Sequence, residues 1–129
     1  MNTFFLNNIT IFEINKKYEL SKLKVCICTL GKDENRYIRE FVEYYKNYGV
    51  DKIYLYDNND INGEKFESVI SQYINNKFVE IINWRGMNGK STYYKIIDSC
   101  YQTHHNYYDW LIFYEIFTLF NSGHNILEL

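Results

Sequence analysis

Val25-Cys26-Ile27-Cys28-Thr29-Leu30-Gly31-Lys32-Asp33-Glu34, then Asn35 to Tyr48, then Lys52-Ile53-Tyr54-Leu55-Tyr56-Asp57, is the stretch that decides the fold. Its first six residues form an apolar, partly β-branched run, the pattern of a strand buried on both faces. Gly31 to Glu34 turns the chain, with Asp33 as the expected N-cap and Glu34 suited to the positive end of a following helix. From Asn35 the apolar positions are Ile38, Phe41, Val42, Tyr45 and Tyr48, spacings of three and four that draw one stripe along a helix. Gly49 is placed to end it as a C′ residue. The second strand runs into Asp57-Asn58-Asn59-Asp60. A strand-helix-strand crossover of this length makes the two strands parallel and right-handed. Ligands of such sheets bind beyond the carboxyl ends of the strands, which here carry residues 29–34 and 57–60.

Working outward, Glu64 to Asn75 repeats the amphipathic pattern through Phe66, Val69, Ile70, Tyr73 and Ile74. Phe78 to Ile82 reads as a third strand. Gly89-Lys90-Ser91 opens a third helix that fades at His104-His105, and Trp110 to Tyr114 is a fourth strand. The alternation predicts an α/β, Rossmann-like half domain: a mainly parallel four-stranded sheet in the order 3-2-1-4, with helices on both faces. Ile9-Thr10-Ile11-Phe12-Glu13-Ile14 alternates well enough for an edge strand. Phe117 to His124 follows neither period. The organisation expected is thus an extension over residues 1–23, a domain over 24–116 and an atypical tail over 117–129.

The chain has 129 residues, of which 47% are hydrophobic and 19% aromatic, enough for one packed core rather than a disordered segment. A net charge of −2 gives no reason to expect nucleic acid as a partner. No basic region precedes Phe4-Phe5-Leu6, and Asn7 and Asn8 follow at once, so neither a signal peptide nor a membrane span fits. The three cysteines are odd in number, and Cys26 and Cys28 share one face of a strand. A disulfide framework is therefore not expected, and a cytoplasmic location is the default.

Val25 to Glu34, Tyr37-Ile38-Arg39-Glu40-Phe41-Val42-Glu43-Tyr44-Tyr45, Gly49-Val50-Asp51-Lys52-Ile53-Tyr54-Leu55-Tyr56-Asp57-Asn58 and Asp109-Trp110-Leu111-Ile112-Phe113-Tyr114-Glu115-Ile116 together resemble the GT-A-type glycosyltransferases, family 2 and family 92-like. The resemblance implies the nucleotide-binding part of an enzyme that moves a sugar from a nucleotide sugar, a UDP-sugar, to an acceptor hydroxyl. Thr29, Leu30, Glu34, Asp57 and Asn58 would then line the nucleotide pocket, with Asp57 on the base or ribose. The chemistry is apt, because a carboxylate at a strand end accepts from a uracil N–H or ribose hydroxyls. The plainer alternatives are an Asx turn at Asp57 and a first-turn charge at Glu34.

The resemblance also implies a divalent cation, manganese or magnesium, held by two acids two residues apart to neutralise the departing diphosphate. Glu115 fills the first metal position, whereas Phe117 stands at the second and cannot bind a hard cation. The lost acid coincides with the failing period, as in a truncated or frameshifted copy, which also leaves open a non-catalytic remnant that pairs through an open sheet edge. Gly89-Lys90-Ser91 is like the end of a P-loop, and Arg85 and Lys90 could meet a phosphate at a helix start. The P-loop glycine five residues before Gly89 is Trp84 here, which favours a plain helix start capped by Ser91. Cys26, Cys28, His104 and His105 match no structural zinc spacing, and the tyrosine pairs 93–94 and 107–108 suit packing as well as sugar stacking.

Overall fold

The computed structural model describes residues 2–5 and 23–116. Its elements are β1 (Asn2–Phe5), β2 (Val25–Gly31), α1 (Asn35–Tyr48), β3 (Lys52–Asp57), α2 (Glu67–Asn75), β4 (Val79–Asn83), α3 (Thr92–His104), a 3₁₀ turn (His105–Tyr107) and β5 (Trp110–Glu115). All pair in parallel in the order β1-β5-β2-β3-β4. The four strands expected from sequence stand in the expected order, and β1 extends the sheet beyond β5. The expected strand over residues 9–14 and the irregular tail from Phe117 lie outside the described residues.

Two connections step one way, from β2 through α1 to β3 and from β3 through α2 to β4. The third, through α3, returns across β3 and β2 to β5. Right-handed crossovers put helices from opposite steps on opposite faces, and the packing agrees. Val25, Ile27, Ile53, Leu55, Ile112 and Tyr114 face α1 and α2, which contribute Ile38, Phe41, Val42, Tyr45, Ile70 and Tyr73. Cys26, Cys28, Tyr54, Tyr56, Leu111 and Phe113 face α3, which contributes Ile96 and Cys100. Strands buried on both faces account for the unbroken apolar runs in the sequence.

Local chemistry sets the element ends. Gly49 closes α1 with φ 96°, a left-handed C′ residue that donates to Lys46 and Tyr45. Asp33 is not the N-cap: it adopts φ 57°, and Glu34 takes the cap position without a side-chain cap bond. The second helix starts at Glu67 rather than Glu64, with the fully buried Phe66 at its cap position. The third starts at Thr92, after Ser91, whose side chain makes no cap bond. At the amino end of β2, Asp51 Oδ2 accepts from the Val25 amide at 2.8 Å, and Asp109 Oδ2 accepts from the Lys24 amide at 2.8 Å.

Cysteine chemistry departs from the expectation. Cys28 of β2 and Cys100 of α3 are joined as a disulfide with Cα atoms 6.5 Å apart, and Cys26 is the free, buried thiol. Burial pushes the Cys26 thiol well above its ordinary range, with Asp51 adding to the shift. Near the amino end of the same face, the His104 ring stacks on Tyr54 at 3.6 Å, and the Tyr54 and Tyr108 hydroxyls are 2.7 Å apart.

Burial lowers the His104 pKa below its ordinary value of 6.5; Glu80 opposes the shift and Lys52 reinforces it. The unfolded chain therefore binds more protons near pH 6, so this stabilisation is complete above pH 6.5 and declines as pH falls below it. The urea midpoint should drop between about pH 7.5 and about pH 5.5, and His104→Gln should flatten that dependence; equal slopes would count against it. Thiol titration of denatured, unreduced protein should find one thiol, Cys26, and three after reduction. Three before reduction would refute the pairing.

Candidate functional site

The step out of β2 through α1 and the step into β5 through α3 run in opposite directions, so the winding of the sheet reverses at the β2–β5 boundary, the kind of topological switch point where doubly wound sheets open a crevice. Leu30 pairs with Glu115 there, so the sequence places an acid on the strand next to the expected nucleotide loop. The carboxyl ends of β2, β3 and β4 are then tied side by side. The Asn58 amide donates to Gly31 O at 3.0 Å, the Trp84 amide to Asp57 O at 2.9 Å and the Gly86 amide to Asn59 O at 2.9 Å. Asn58 Nδ2 adds bonds to Trp84 O at 2.9 Å and Met87 O at 2.8 Å.

Asp57 is at the centre of this end and is only 2% exposed. Its Oδ1 accepts from the Asn59 amide at 3.0 Å and from Asn59 Nδ2 at 2.8 Å. Its Oδ2 accepts from Arg85 Nη1 at 2.7 Å. A carboxylate removed from water needs such a shell, since the desolvation cost is repaid only by a paired charge and filled lone pairs. Asn59, fully buried, turns its own Oδ1 to the Asp33 amide at 2.7 Å. That bond anchors Asp33, which has a left-handed φ of 57°.

Of the residues expected at the site, Asp57, Asn58 and Arg85 meet in one network. Thr29 is buried at 1% exposure one residue before Leu30, and Glu34 at 6% exposure begins α1 with its carbonyl accepting from Tyr37 and Ile38. Lys90 is exposed in the loop before α3. Arg85 does not face outward as a phosphate ligand would: its guanidinium is spent on Asp57 and on backbone carbonyls of residues 60–64. Asn59 was not singled out from the sequence, and its place beside Asp57 in an Asx-type pattern was the available signal. Trp84, half-buried, packs edge-on against Tyr56 with centroids 6.2 Å apart, where a P-loop would need glycine. Leu30, Asn58 and Trp84 are half-buried, and Lys32, Ile61, Met87 and Lys90 are exposed around this end.

Among the described residues no group of three or more His, Cys, Asp or Glu side chains gathers as a metal site. Among them, too, no helix is long and apolar enough to cross a membrane.

The family profile of Glycosyltransferase family 92 matches residues 21–116. A glycosyltransferase family 92 protein of Ricinus communis is 36% identical over 55 residues, which is 43% of this chain and 10% of that protein. One from Oryza sativa subsp. japonica is 33% identical over 49 residues, 38% of this chain and 8% of that protein. The matched stretch thus spans a tenth or less of these curated relatives. No solved structure matches the chain.

Asn59→Ala would strip one donor, Nδ2, from a buried carboxylate that keeps the backbone amide of residue 59, and would remove the acceptor from the Asp33 amide. It should cost roughly 2–4 kcal/mol in urea unfolding. Asn59→Asp should cost more at neutral pH, because it sets a second carboxylate against Asp57. An Asp variant as stable as wild type would mean that Asn59 Nδ2 contributes nothing to holding Asp57.

Proposed function

Because this chain belongs to glycosyltransferase family 92, we propose that its described part is the donor-binding portion of a GT-A-type transferase. The donor is a nucleotide sugar, a UDP-sugar, and the family reaction transfers its sugar to an acceptor hydroxyl. The observation that carries this reading is the stitched carboxyl end of β2, β3 and β4 at the switch point, with Leu30, Asn58 and Trp84 open to a ligand beside it. The nucleotide would lie across Leu30 and Asn58, with Thr29 and Glu34 shaping the pocket from the α1 side. Asp57 would act from beneath by fixing Asn59 and Arg85, since three donors from these two residues already occupy its oxygens. Lys90, at the start of α3, is the available cation for the diphosphate. Glu115 opposite Leu30 would contribute to holding a divalent cation, whose chemistry is to neutralise the leaving diphosphate.

Calorimetric titration with UDP, with and without manganese, tests the reading. Saturable binding of UDP is expected, with Lys90→Ala weakening it about tenfold, as for loss of one charge-assisted contact. A chain that ignores UDP but binds ATP in a Lys90-dependent way would instead fit the P-loop reading and sink this one.

A further inference from the structure

Five acceptors converge on one guanidinium. Arg85 Nη1 reaches Asp57 Oδ2 at 2.7 Å and Glu64 O at 2.8 Å, while Nη2 reaches Asp60 O at 2.8 Å, Gly63 O at 3.1 Å and Ile61 O at 3.3 Å. One carboxylate and four backbone carbonyls form the kind of oxygen cage that elsewhere holds a hard cation. Here the cation is a side chain, only 16% exposed. The same segment is tied on its far side, where Glu64 Oε2 accepts from the Asn35 amide at 3.0 Å, Lys65 O from Asn35 Nδ2 at 3.2 Å, and Asp60 pairs with Lys32 at 3.2 Å. The turn also seats against Gly86, which has φ 73° and where an added Cβ would come within 2.9 Å of Ile61. Residues 60–64 therefore bridge the β2–α1 loop and the β4–α3 loop at the carboxyl end of the sheet.

We propose that Arg85 is a positioning residue: a built-in cation that fills this carbonyl cage and holds residues 60–64 as a preformed wall of the donor site. The proposal rests on the donor-site reading for the word donor, and on the cage alone for the wall. The planar fork matters as much as the charge, because one ammonium cannot reach five acceptors spread around two nitrogens. Arg85 thus contributes to binding through the loop rather than through a phosphate.

Amide hydrogen exchange of the full chain tests this. In Arg85→Ala the Gly63 and Gly86 amides should exchange roughly tenfold faster or more, with Ile27 and Leu55 unchanged, as for a local opening. Millimolar methylguanidinium should slow them again. Arg85→Lys should remain fast at Gly63, since it restores charge opposite Asp57 without the fork. Should the Ala variant fail to fold, the Lys variant carries the same comparison. Wild-type exchange at Gly63 in either variant overturns the clamp, and so does acceleration spread evenly across the sheet. UDP titration of the same samples separates the two readings. Wild type that binds no UDP with its loop protected refutes the donor site and leaves the clamp standing. A loosened loop with unchanged UDP affinity removes these residues from the wall.

Discussion

A carboxylate at 2% exposure cannot be left to itself, and the carboxyl end of this sheet is arranged around that constraint at Asp57. Each oxygen is answered by a different part of the chain: Oδ1 by Asn59, two residues on, and Oδ2 by Arg85, twenty-eight residues on. Satisfying Asp57 therefore fixes the ends of two strands relative to each other. It also fixes what those partners touch next, since Asn59 fastens Asp33 and Arg85 fastens residues 60–64. One buried charge thereby orders the three loops that border the crevice.

Most of the architecture was legible in the sequence because it follows from local patterns. The stripe from Ile38 to Tyr48, Gly49 at the helix end and the apolar runs at 25–30, 53–56 and 110–114 each reflect a single element's burial. Parallel pairing then follows from the lengths between them. The short β1, with only Asn2-Thr3-Phe4-Phe5 to show, has no period long enough to read. Cys28 and Cys100 lie 72 residues apart, so their meeting depends on how α3 crosses the sheet.

The site was legible in location and less so in role. The Asp57-Asn58-Asn59-Asp60 cluster and the loop from Thr29 to Glu34 do converge at the switch point. The Asx-turn reading of Asp57 is met by its surroundings, where Oδ1 closes an Asx-type bond to the Asn59 amide. What sequence could not display is that Arg85 would spend its donors inward. An arginine beside a helix start invites a phosphate reading, and only the folded position of the 60–64 carbonyls redirects it. Membership of glycosyltransferase family 92 and this geometry meet on the same stretch, since residues 21–116 hold every strand but β1.

β5 is the last of the described strands in sequence, yet it lies between β1 and β2 in the sheet. Strands β2, β3 and β4 can pair one after another as they appear, whereas β1 has no partner until β5 arrives. The gap beside β2 must stay open by one strand's width, about 4.8 Å, until residues 110–115 fill it. On a ribosome β1 would thus be among the last of the described strands to be seated, and the crevice at the switch point would come into being only when that seam closes. Assembly order and candidate site share one seam, so a chain stalled before Trp110 would display β2, β3 and β4 paired without the neighbour that borders the candidate crevice.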